Sequence, residues 1–468
     1  MSKKLTPHSL RISLLSLAAL AIMAGAGFTH AQSPEVAKAK GETFIIGTDA
    51  PLASVASFNV NIESIDAVDT ATGTSVSLLS NPVSVDFARF NGLQTLLDIN
   101  AVPVGTYNQI VVTLGTAQIG YLSISSGNPP ALQTMSATLT ASTLTKTLKF
   151  PLTVTAAEPI GVRLDFNLHK SIQVTNGAIT GTVDPVFDIA VVRPTAPLAF
   201  IDQFDTAVLS VDAAGQSFVV QGPHGRHWTI DVTGATEWDG GATFASLNTN
   251  TIVQISGALA RATSTITASE INVLSQTGFY AGGLATWVTP SSGAAPSFDL
   301  YVRGLLPASG TGANGVTLGQ IATIDLGGKE KFFVRWNRNP LTKFVFNSSA
   351  LLPGQSIAVG GPLTGAEVSD AVTVRRVNLR DWGYIGKVVK GSVNVKKDTF
   401  EMQVDGFAGQ LIPQNITVYL TGRSLFRYGY TGIRELKGGD QVRVVGLLLK
   451  NPENDDVTLV GHYVDDLN

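Results

Sequence analysis

The stretch "SFNVNIES", residues 57–64, alternates apolar and polar side chains with a period of two. Phe58, Val60 and Ile62 would share one face of an extended strand, and the polar residues between them would share the other. A strand of this kind is half-buried, with one face on a core and one face toward water. The stretch therefore predicts β-structure that packs on one side only.

The same alternation recurs in "NQIVVTL" (108–114) and "RLDFNL" (163–168), and breakers such as Asn-Pro and Asn-Gly separate the strand-like runs. Helical periodicity is nearly absent, and only residues 87–99 have a pattern that could form a short helix. We therefore predict an antiparallel β-sandwich over residues 42–193.

Composition limits the classes of protein that fit this chain. The 468 residues are 44% hydrophobic and 14% charged, with a formal net charge of -3. Such a chain is too long for one core and too apolar for general disorder, so we expect three or four domains. Cysteine is absent, which excludes disulfides, thiolate catalysis and Cys-ligated metal sites.

The first 31 residues are typical of a secretory signal peptide. Basic residues precede a short apolar run at 12–24, and "THA" ends at Ala31 with small residues at the positions that a signal peptidase requires. We predict cleavage after Ala31, a linker over 32–41, and export to the periplasm, cell surface or exterior. An uncleaved membrane anchor is the alternative, but the apolar run is shorter than the roughly 20 residues that span a bilayer.

Asp49 lies in "GTDAP", where the following Ala50 is pushed toward extended backbone by Pro51. We predict an Asx-turn in which the Asp49 carboxylate accepts a hydrogen bond from a nearby backbone N–H. The alternative is a calcium site completed by Asp66 or Asp69, although the spacing is not that of a known calcium loop. Asp49 is therefore a weak metal candidate.

Three separated stretches, "GTDAP", "LLDINAVPVGTYNQIVVTL" and "LDFNLHKSI", occur in order along the predicted sandwich. In this respect residues 42–193 resemble an uncharacterised family of secreted bacterial domains, the domain of unknown function DUF4382. The resemblance implies an exported β-sandwich, and it brings no established activity.

After a Pro-containing linker at 194–203 the chain repeats itself. "SFVVQG", "SFDLYVRG" and "TFEMQVDG" share a Phe, an alternating run and a final Gly, and "WTIDV", "ATIDL" and "ITVYL" follow them. Each unit closes with a hydrophobic strand that contains Gly257, Gly361 or Gly446. The uneven spacing disfavours a solenoid or propeller.

We therefore predict three small OB-like β-barrels, at 204–275, 276–379 and 380–468, with a long loop insertion in the second. This half of the chain resembles a second bacterial domain of unknown function, DUF5666, through the Phe strand and the late Gly-containing strand.

Motifs that carry chemistry are scarce. "GTGANG" at 310–315 matches a dinucleotide-binding pattern in letters only, because a strand-like run follows it instead of a helix, and we predict a flexible loop. His224 and His227 in "GPHGRHW" are weak metal candidates, and an exposed hairpin tip is the interpretation we favour. No nucleophile elbow or zinc-protease motif occurs. The sequence predicts no catalytic residue, no metal site and no cofactor.

Charge singles out the last predicted barrel. Residues 371–450 hold 13 Lys and Arg against 6 Asp and Glu, whereas residues 32–200 hold 8 against 12. Within that barrel "RSLFRYGYTGIREL" interleaves cations with aromatic rings that could bind sugars. The candidate binding residues are Arg423, Arg427, Tyr428, Tyr430 and Arg434. The alternative is that the rings fill the barrel and the arginines are solvated.

Two classes of function fit these features. The first is an exported, non-enzymatic cell-envelope or extracellular protein with a structural role or a glycan or acidic polymer as its partner, and with no nucleic acid or transmembrane segment expected. The second is an exported hydrolase whose catalytic carboxylates are dispersed along the sequence. A single deep cleft with two facing carboxylates would favour the hydrolase. We also expect that the barrels bury their own cores, so that 201–468 folds alone. If the candidate residues form a binding surface, Ala at all three candidate arginines together should weaken retention on acidic polysaccharide and leave the thermal midpoint nearly unchanged.

Overall fold

The structure is a computed structural model that describes residues 39–467 with internal gaps. The gaps are 51, 53, 124–127, 195–198, 223–225, 240–241, 261–264, 277–278, 290–295, 307–315, 335–340, 342, 362–371 and 407–413. The predicted signal peptide, most of the N-terminal linker, His224 and the "GTGANG" loop lie outside the described residues.

Twelve strands and one short helix form the N-terminal part. The strands are β1 (Lys40–Ala50), β2 (Val55–Asp69), β3 (Thr74–Ser77), β4 (Val83–Asp86), β5 (Thr95–Pro103), β6 (Gly105–Ser123), β7 (Ala131–Leu139), β8 (Thr143–Val154), β9 (Ile160–Asn167), β10 (Ile172–Thr175), β11 (Ala178–Val183) and β12 (Phe187–Val192), and α1 is Leu168–Ser171. One sheet has the order β12-β9-β1-β5, and the other has eight strands centred on the pair β6-β2. The pairs β1–β9 and β7–β11 are parallel, and the remaining pairs are antiparallel.

The stretch that predicted the strand pattern lies in β2. Phe58, Val60 and Ile62 are each 0% exposed and join one hydrophobic cluster with residues of both sheets. Period-two alternation therefore identified the core-facing side correctly, because successive strand residues point to opposite faces. The predicted β-sandwich is confirmed.

The short helix predicted at 87–99 is wrong for most of its length. Only Phe87–Arg89 forms a single 3-10 turn, and β5 begins at Thr95. Asn91 and Gly92 have φ values of 45° and 84°, a left-handed conformation that ends a right-handed helix. The described backbone places its one α-helix, α1, at 168–171 instead.

The remaining strands form three units. The first has β13 (Phe200–Asp212), β14 (Ser217–Gln221), β15 (His227–Asp231), β16 (Glu237–Asp239), β17 (Ile252–Leu259) and β18 (Thr265–Ser275). The second has β19 (Phe279–Val288), β20 (Ser297–Leu306), β21 (Ile321–Asp325), β22 (Lys331–Val334), β23 (Ser356–Gly361), β24 (Val372–Thr373) and β25 (Arg376–Arg380). The third has β26 (Trp382–Val388), β27 (Thr399–Val404), β28 (Gln414–Tyr419), β29 (Leu425–Arg427), β30 (Gln441–Lys450) and β31 (Val457–Asp466). β13 begins at Phe200 and so includes the last four residues of the predicted linker 194–203.

One topology repeats in the three units. In the first, β13 pairs with β14 and β17, β14 with β15, β17 with β18, and β15 runs parallel to β18, which closes a five-stranded barrel. The third unit repeats every one of these pairings from β26 to β31. In the second unit the last strand is divided into β24 and β25, which pair with β21 and β23. A small barrel of this kind is OB-like, as the sequence predicted.

The barrels and the sandwich share hydrophobic clusters. Phe44, Ile46, Leu96 and Ile99 of the sandwich belong to the core of the first barrel. Other clusters join the sandwich to the second barrel, through Ala56 and Tyr301 among others, and the second barrel to strands of the third. Each barrel therefore has a core of its own, and these cores also share apolar contacts with the neighbouring units.

Candidate functional site

A cavity of about 580 Å³ lies where the sandwich and the three barrels meet. The sandwich contributes β4, the turn after it and the start of β5, and the barrels contribute parts of β13, β19, β20, β23 and β25 and the first residue of β26. Sites between domains are common positions for ligands, and this volume falls within the usual range for small-molecule pockets.

Arg303, on β20, belongs to the buried wall of the cavity and is 6% exposed. Its Nε donates to the Ala56 carbonyl at 2.9 Å, and its guanidinium lies 4.4 Å from the centre of the Trp382 ring. Its Nη1 is buried and has no hydrogen-bond partner among the described residues. Burial lowers the pKa of Arg303, while the nearby Asp86 carboxylate opposes that shift.

A second cluster of the cavity wall joins the first two barrels. The Asp205 carboxylate, on β13, receives two hydrogen bonds from Arg380, at 3.0 Å and 3.2 Å, and a third from the Tyr280 hydroxyl at 2.5 Å. Gln254 donates to the same carboxylate at 3.0 Å. Every one of these groups is buried or nearly so. The carboxylate of Asp205 is therefore fully engaged by donors of the protein itself.

Two further carboxylates line the cavity. Asp86, on β4, accepts a hydrogen bond from the Phe58 N–H at 2.8 Å, and burial raises its pKa against the opposing effect of Arg303. Asp202, on β13, accepts from the Gln94 N–H at 3.1 Å and from the Tyr463 hydroxyl at 3.2 Å. The cavity thus brings together three carboxylates that are far apart in the sequence.

The rim of the cavity is formed by exposed residues. Ser84 and Arg89 of the sandwich and Leu318 of the second barrel all line it and are all exposed to solvent. Solvent and small ligands can therefore reach the cavity from this side. The aromatic residues Tyr280, Tyr301 and Trp382 lie further inside, where they are buried or half-buried.

Asp49 does not form the predicted Asx-turn. It lies within β1, is fully buried, and accepts from the distant Gly92 N–H at 3.0 Å. Burial raises its pKa well above the ordinary value. The local turn that we expected is found at Asp69 instead, whose carboxylate accepts from the Ala71 N–H and the Thr72 hydroxyl.

The described residues around Asp49, Asp66, Asp69 and His227 do not form the calcium or other metal site that was the alternative. Among the described residues, no three His, Asp or Glu side chains are grouped closely enough to hold a metal ion. His227 is exposed at the start of β15, opposite Gln221. Asp66 accepts from the neighbouring Ser64 hydroxyl at 2.7 Å.

Arg427 is a structural residue instead of a solvated cation. It lies on β29 opposite Asp465 of β31, and the two side chains pair at 2.6 Å and 2.9 Å. Arg443 pairs with the same buried carboxylate at 2.8 Å, and its Nη1 donates to the Asp49 carbonyl at 2.6 Å. The ring centre of Tyr463 lies 3.9 Å from the Arg427 guanidinium. The unchanged midpoint expected for the triple Ala variant presupposed a solvated face, and Arg427 does not lie on one.

The other four candidate residues point to several different neighbours. Arg423 is exposed and pairs with Glu237 of the first barrel at 2.7 Å, while Arg434 is simply exposed. The Tyr428 hydroxyl accepts from Arg163 at 3.2 Å, and the Tyr430 hydroxyl donates to Asp440 at 2.9 Å. The five candidates therefore do not form a single exposed surface.

The sequence did not single out Arg303, Arg380 or the three cavity carboxylates. One signal was available for Arg303, because "LYVRGLL" places a guanidinium inside an otherwise apolar strand. Such a charge inside a buried strand indicates a partner or a function. The three carboxylates lie on strands, with no spacing that distinguishes them from ordinary surface acids.

Comparisons with known proteins identify domain families only. Residues 43–181 match the family described as a domain of unknown function (DUF4382), and residues 207–272, in the first barrel, match the domain of unknown function DUF5666. Both resemblances inferred from the sequence are thereby confirmed. No curated protein matches the chain.

A solved structure described as Drosophila Unr CSD456 is similar at 10% identity, over 57% of this chain and 97% of that one, with a TM-score of 0.15. A likeness at this level carries no argument about fold or function. The described helices include none that is long and apolar enough to cross a membrane.

Proposed function

We propose that this protein is exported and acts in the cell envelope or outside the cell as a non-enzymatic glycan-binding protein. The observation that carries the proposal is the solvent-accessible cavity between the sandwich and the barrels, with aromatic rings and guanidinium groups in its wall. Sugars are recognised by aromatic faces that pack on their apolar C–H groups and by fixed polar groups that bind their hydroxyls. The wall around Tyr280, Trp382 and Arg303 offers both kinds of group.

Export is supported by the basic start, the short apolar run and the "THA" boundary of the first 31 residues. Fractionation of the native organism should place the protein outside the cytoplasm, and N-terminal sequencing of that material should begin at Gln32. Exported material that still begins at Met1 would contradict the cleavage, and purely cytoplasmic protein would contradict the proposal.

Glycan binding is tested with the purified mature protein on an array of neutral and acidic polysaccharides and oligosaccharides. We expect retention of acidic glycans in preference to neutral ones. A protein that bound none of these glycans, while remaining folded, would contradict the proposal.

A second candidate function is an exported hydrolase, favoured by the convergence of Asp86, Asp202 and Asp205 on one cavity. Burial raises the pKa of Asp86, as a general acid requires. The extensive pairing of Asp205 with Arg380 and Tyr280 favours a structural role for that carboxylate. Release of reducing ends from acidic polysaccharides by the wild-type protein, abolished by Asp86→Asn, would establish the hydrolase in place of the binding protein.

A further inference from the structure

Arg303 is held in one position before any ligand arrives. Its Nε donates to the Ala56 carbonyl at 2.9 Å and its Nη2 to the Val55 carbonyl at 3.4 Å, while Trp382 and Tyr301 contact the guanidinium at 4.4 Å and 5.7 Å from their ring centres. Because the guanidinium is already fixed, little conformational entropy of this side chain is lost when a ligand binds, and the binding free energy is more favourable.

One side of this guanidinium lacks a partner. Its Nη1 is buried without a hydrogen bond, and no described carboxylate forms an ion pair with Arg303. Leaving a buried cationic donor unsatisfied costs free energy that a ligand oxygen would recover. Since Arg303 also lines the cavity, the cavity is the place from which such an oxygen could come.

Arg89 supplies a second guanidinium beside the first. A Cβ added at Gly304, the residue after Arg303, would lie 3.5 Å from the Tyr280 ring and 3.8 Å from the Arg89 Nη2. The exposed Arg89 therefore lies close to β20, and it lines the cavity together with Arg303, on which it acts electrostatically. Two guanidinium groups, one buried and one exposed, thus flank the same space.

The other charges of the cavity are engaged elsewhere. Asp205 is paired with Arg380, and Asp202 accepts from Tyr463 and acts electrostatically on Arg427 of the third barrel. Asp86, which lines the cavity, acts electrostatically on both Arg89 and Arg303. Two cations against one carboxylate leave a local excess of one positive charge, which suits a monoanion better than a phosphate dianion.

We infer that Arg303 and Arg89 form a subsite for the carboxylate of an acidic sugar, which enters the cavity as the terminal unit of a glycan. The inference rests on the proposed glycan-binding function and names the chemistry of its ligand. A carboxylate accepts hydrogen bonds from guanidinium groups in a planar, charge-assisted geometry. The half-buried Trp382 is the aromatic residue of the cavity wall on which the sugar ring of the same unit would pack.

In the test, the full mature protein is titrated with D-galacturonate, with D-galactose and with short oligogalacturonates. Calorimetry measures each affinity. We expect galacturonate to bind at least about tenfold more tightly than galactose, because only the acid offers a charged acceptor. The variant Arg89→Gln should weaken galacturonate binding by about tenfold or more while the thermal midpoint stays unchanged, since Arg89 is exposed. Gly304→Val should have a similar effect by filling the space between Tyr280 and Arg89.

The matched control is Arg423→Gln, which removes an exposed arginine of the third barrel and should leave galacturonate binding unchanged. Galacturonate binding that survives both Arg89→Gln and Gly304→Val would overturn the subsite while leaving the glycan-binding function intact. Equal affinity for galacturonate and galactose would overturn the carboxylate specificity. A wild-type protein that binds no glycan at all would instead remove the proposed function on which the inference rests.

Discussion

Asp49 and Asp465 are both fully buried carboxyls, and their surroundings shift their pKa values in opposite directions. Burial disfavours the charged form of each. At Asp465 the paired Arg427 and Arg443 outweigh the effect of burial, and the pKa is lowered. At Asp49 the hydrogen bond from the Gly92 N–H and the charge of Arg443 are weaker than the effect of burial, and the pKa is raised. Burial alone therefore does not decide the protonation of a carboxyl, and the neighbouring cations must be counted.

The raised pKa of Asp49 gives a prediction with a definite sign. The folded protein holds the Asp49 proton more tightly than the unfolded chain, whose Asp pKa is about 3.9. The resulting contribution to stability is complete below the unfolded pKa and is lost as pH rises through the folded pKa. Asp49→Asn cannot ionise, so the stability of this variant relative to wild type should increase as pH rises above about 4. Urea unfolding at several pH values measures the difference.

Asp69→Asn is the control for this titration. Hydrogen bonds from Thr72 and Ala71 lower the pKa of the exposed Asp69, so its variant should show no such gain at higher pH. A stability difference between Asp49→Asn and wild type that did not change with pH would contradict the prediction.

A second prediction concerns the arginines of "RSLFRYGYTGIREL". Arg427→Ala should lower the free energy of unfolding by about 3 kcal/mol, because removing one partner of a buried ion pair leaves the other charge less compensated. Arg434→Ala, on the exposed part of the same stretch, should change it by no more than about 0.5 kcal/mol. Equal effects of the two variants in urea unfolding would mean that Arg427 is solvated after all.

At the scale of the strand, the repeated sequence motifs occupy equivalent positions in the three barrels. The Phe-containing motifs lie on the second strands β14, β20 and β27, and the Gly-containing motifs on the fifth strands β17, β23 and β30. Gly257, Gly361 and Gly446 pair with Ile201, Phe279 and Trp382 near the start of each first strand. The repeat is therefore one of topology as well as of sequence.

Gly446 is required by the close approach of two strands. A Cβ there would lie 2.1 Å from the Val460 carbonyl oxygen, next to a register shift between Val445 and Gly446. Gly257 is equivalent, at 2.4 Å from the Thr267 carbonyl oxygen. Since the clash is with backbone, neither strand can relieve it by a change of rotamer.

Gly446→Ala should therefore destabilise the protein by about 1–3 kcal/mol, the usual cost of overpacking. Gly422→Ala is the control, because a Cβ at Gly422 would meet nothing within 4 Å. Thermal unfolding of both variants checks this. A Gly446→Ala protein as stable as the control would show that the strands can separate at this point without cost.

At the scale of the whole molecule, the sandwich and barrels are joined by shared hydrophobic clusters and by buried polar bonds. Arg380 of the second barrel binds Asp205 of the first, and Arg443 of the third binds the Asp49 carbonyl of the sandwich. Leu93 of the sandwich packs with Val445 and Tyr463 of the third barrel. Loss of any one unit would therefore expose apolar surface and unpaired charges on its neighbours.

We accordingly expect a single cooperative unfolding transition for the full chain, and a lower thermal midpoint for a 201–468 fragment than for the full chain. The fragment loses the apolar cover that Ile46 and Leu96 give to the first barrel. Calorimetry of the two proteins tests the coupling. Two separate transitions in the full chain, one of them matching the isolated fragment, would show that the units are independent.

The sequence by itself determined the features that depend on neighbouring residues. Period-two alternation placed the strands and their buried faces, as in "SFNVNIES", and the spacing of recurring Phe and Gly motifs revealed three barrels of one kind. These features are local, because a strand's alternation and a bulge's glycine are both set within a few residues.

Only the tertiary structure decided which charged residues are buried together. Arg427 looks solvated in the sequence, and it is neutralised by Asp465 on a strand that lies 38 residues further on. The cavity that unites Asp86, Asp205, Arg303 and Arg380 is formed by strands of the sandwich and of all three barrels. Burial and ion pairing depend on distances between atoms, and the packing of distant strands sets those distances where no local sequence pattern can record them.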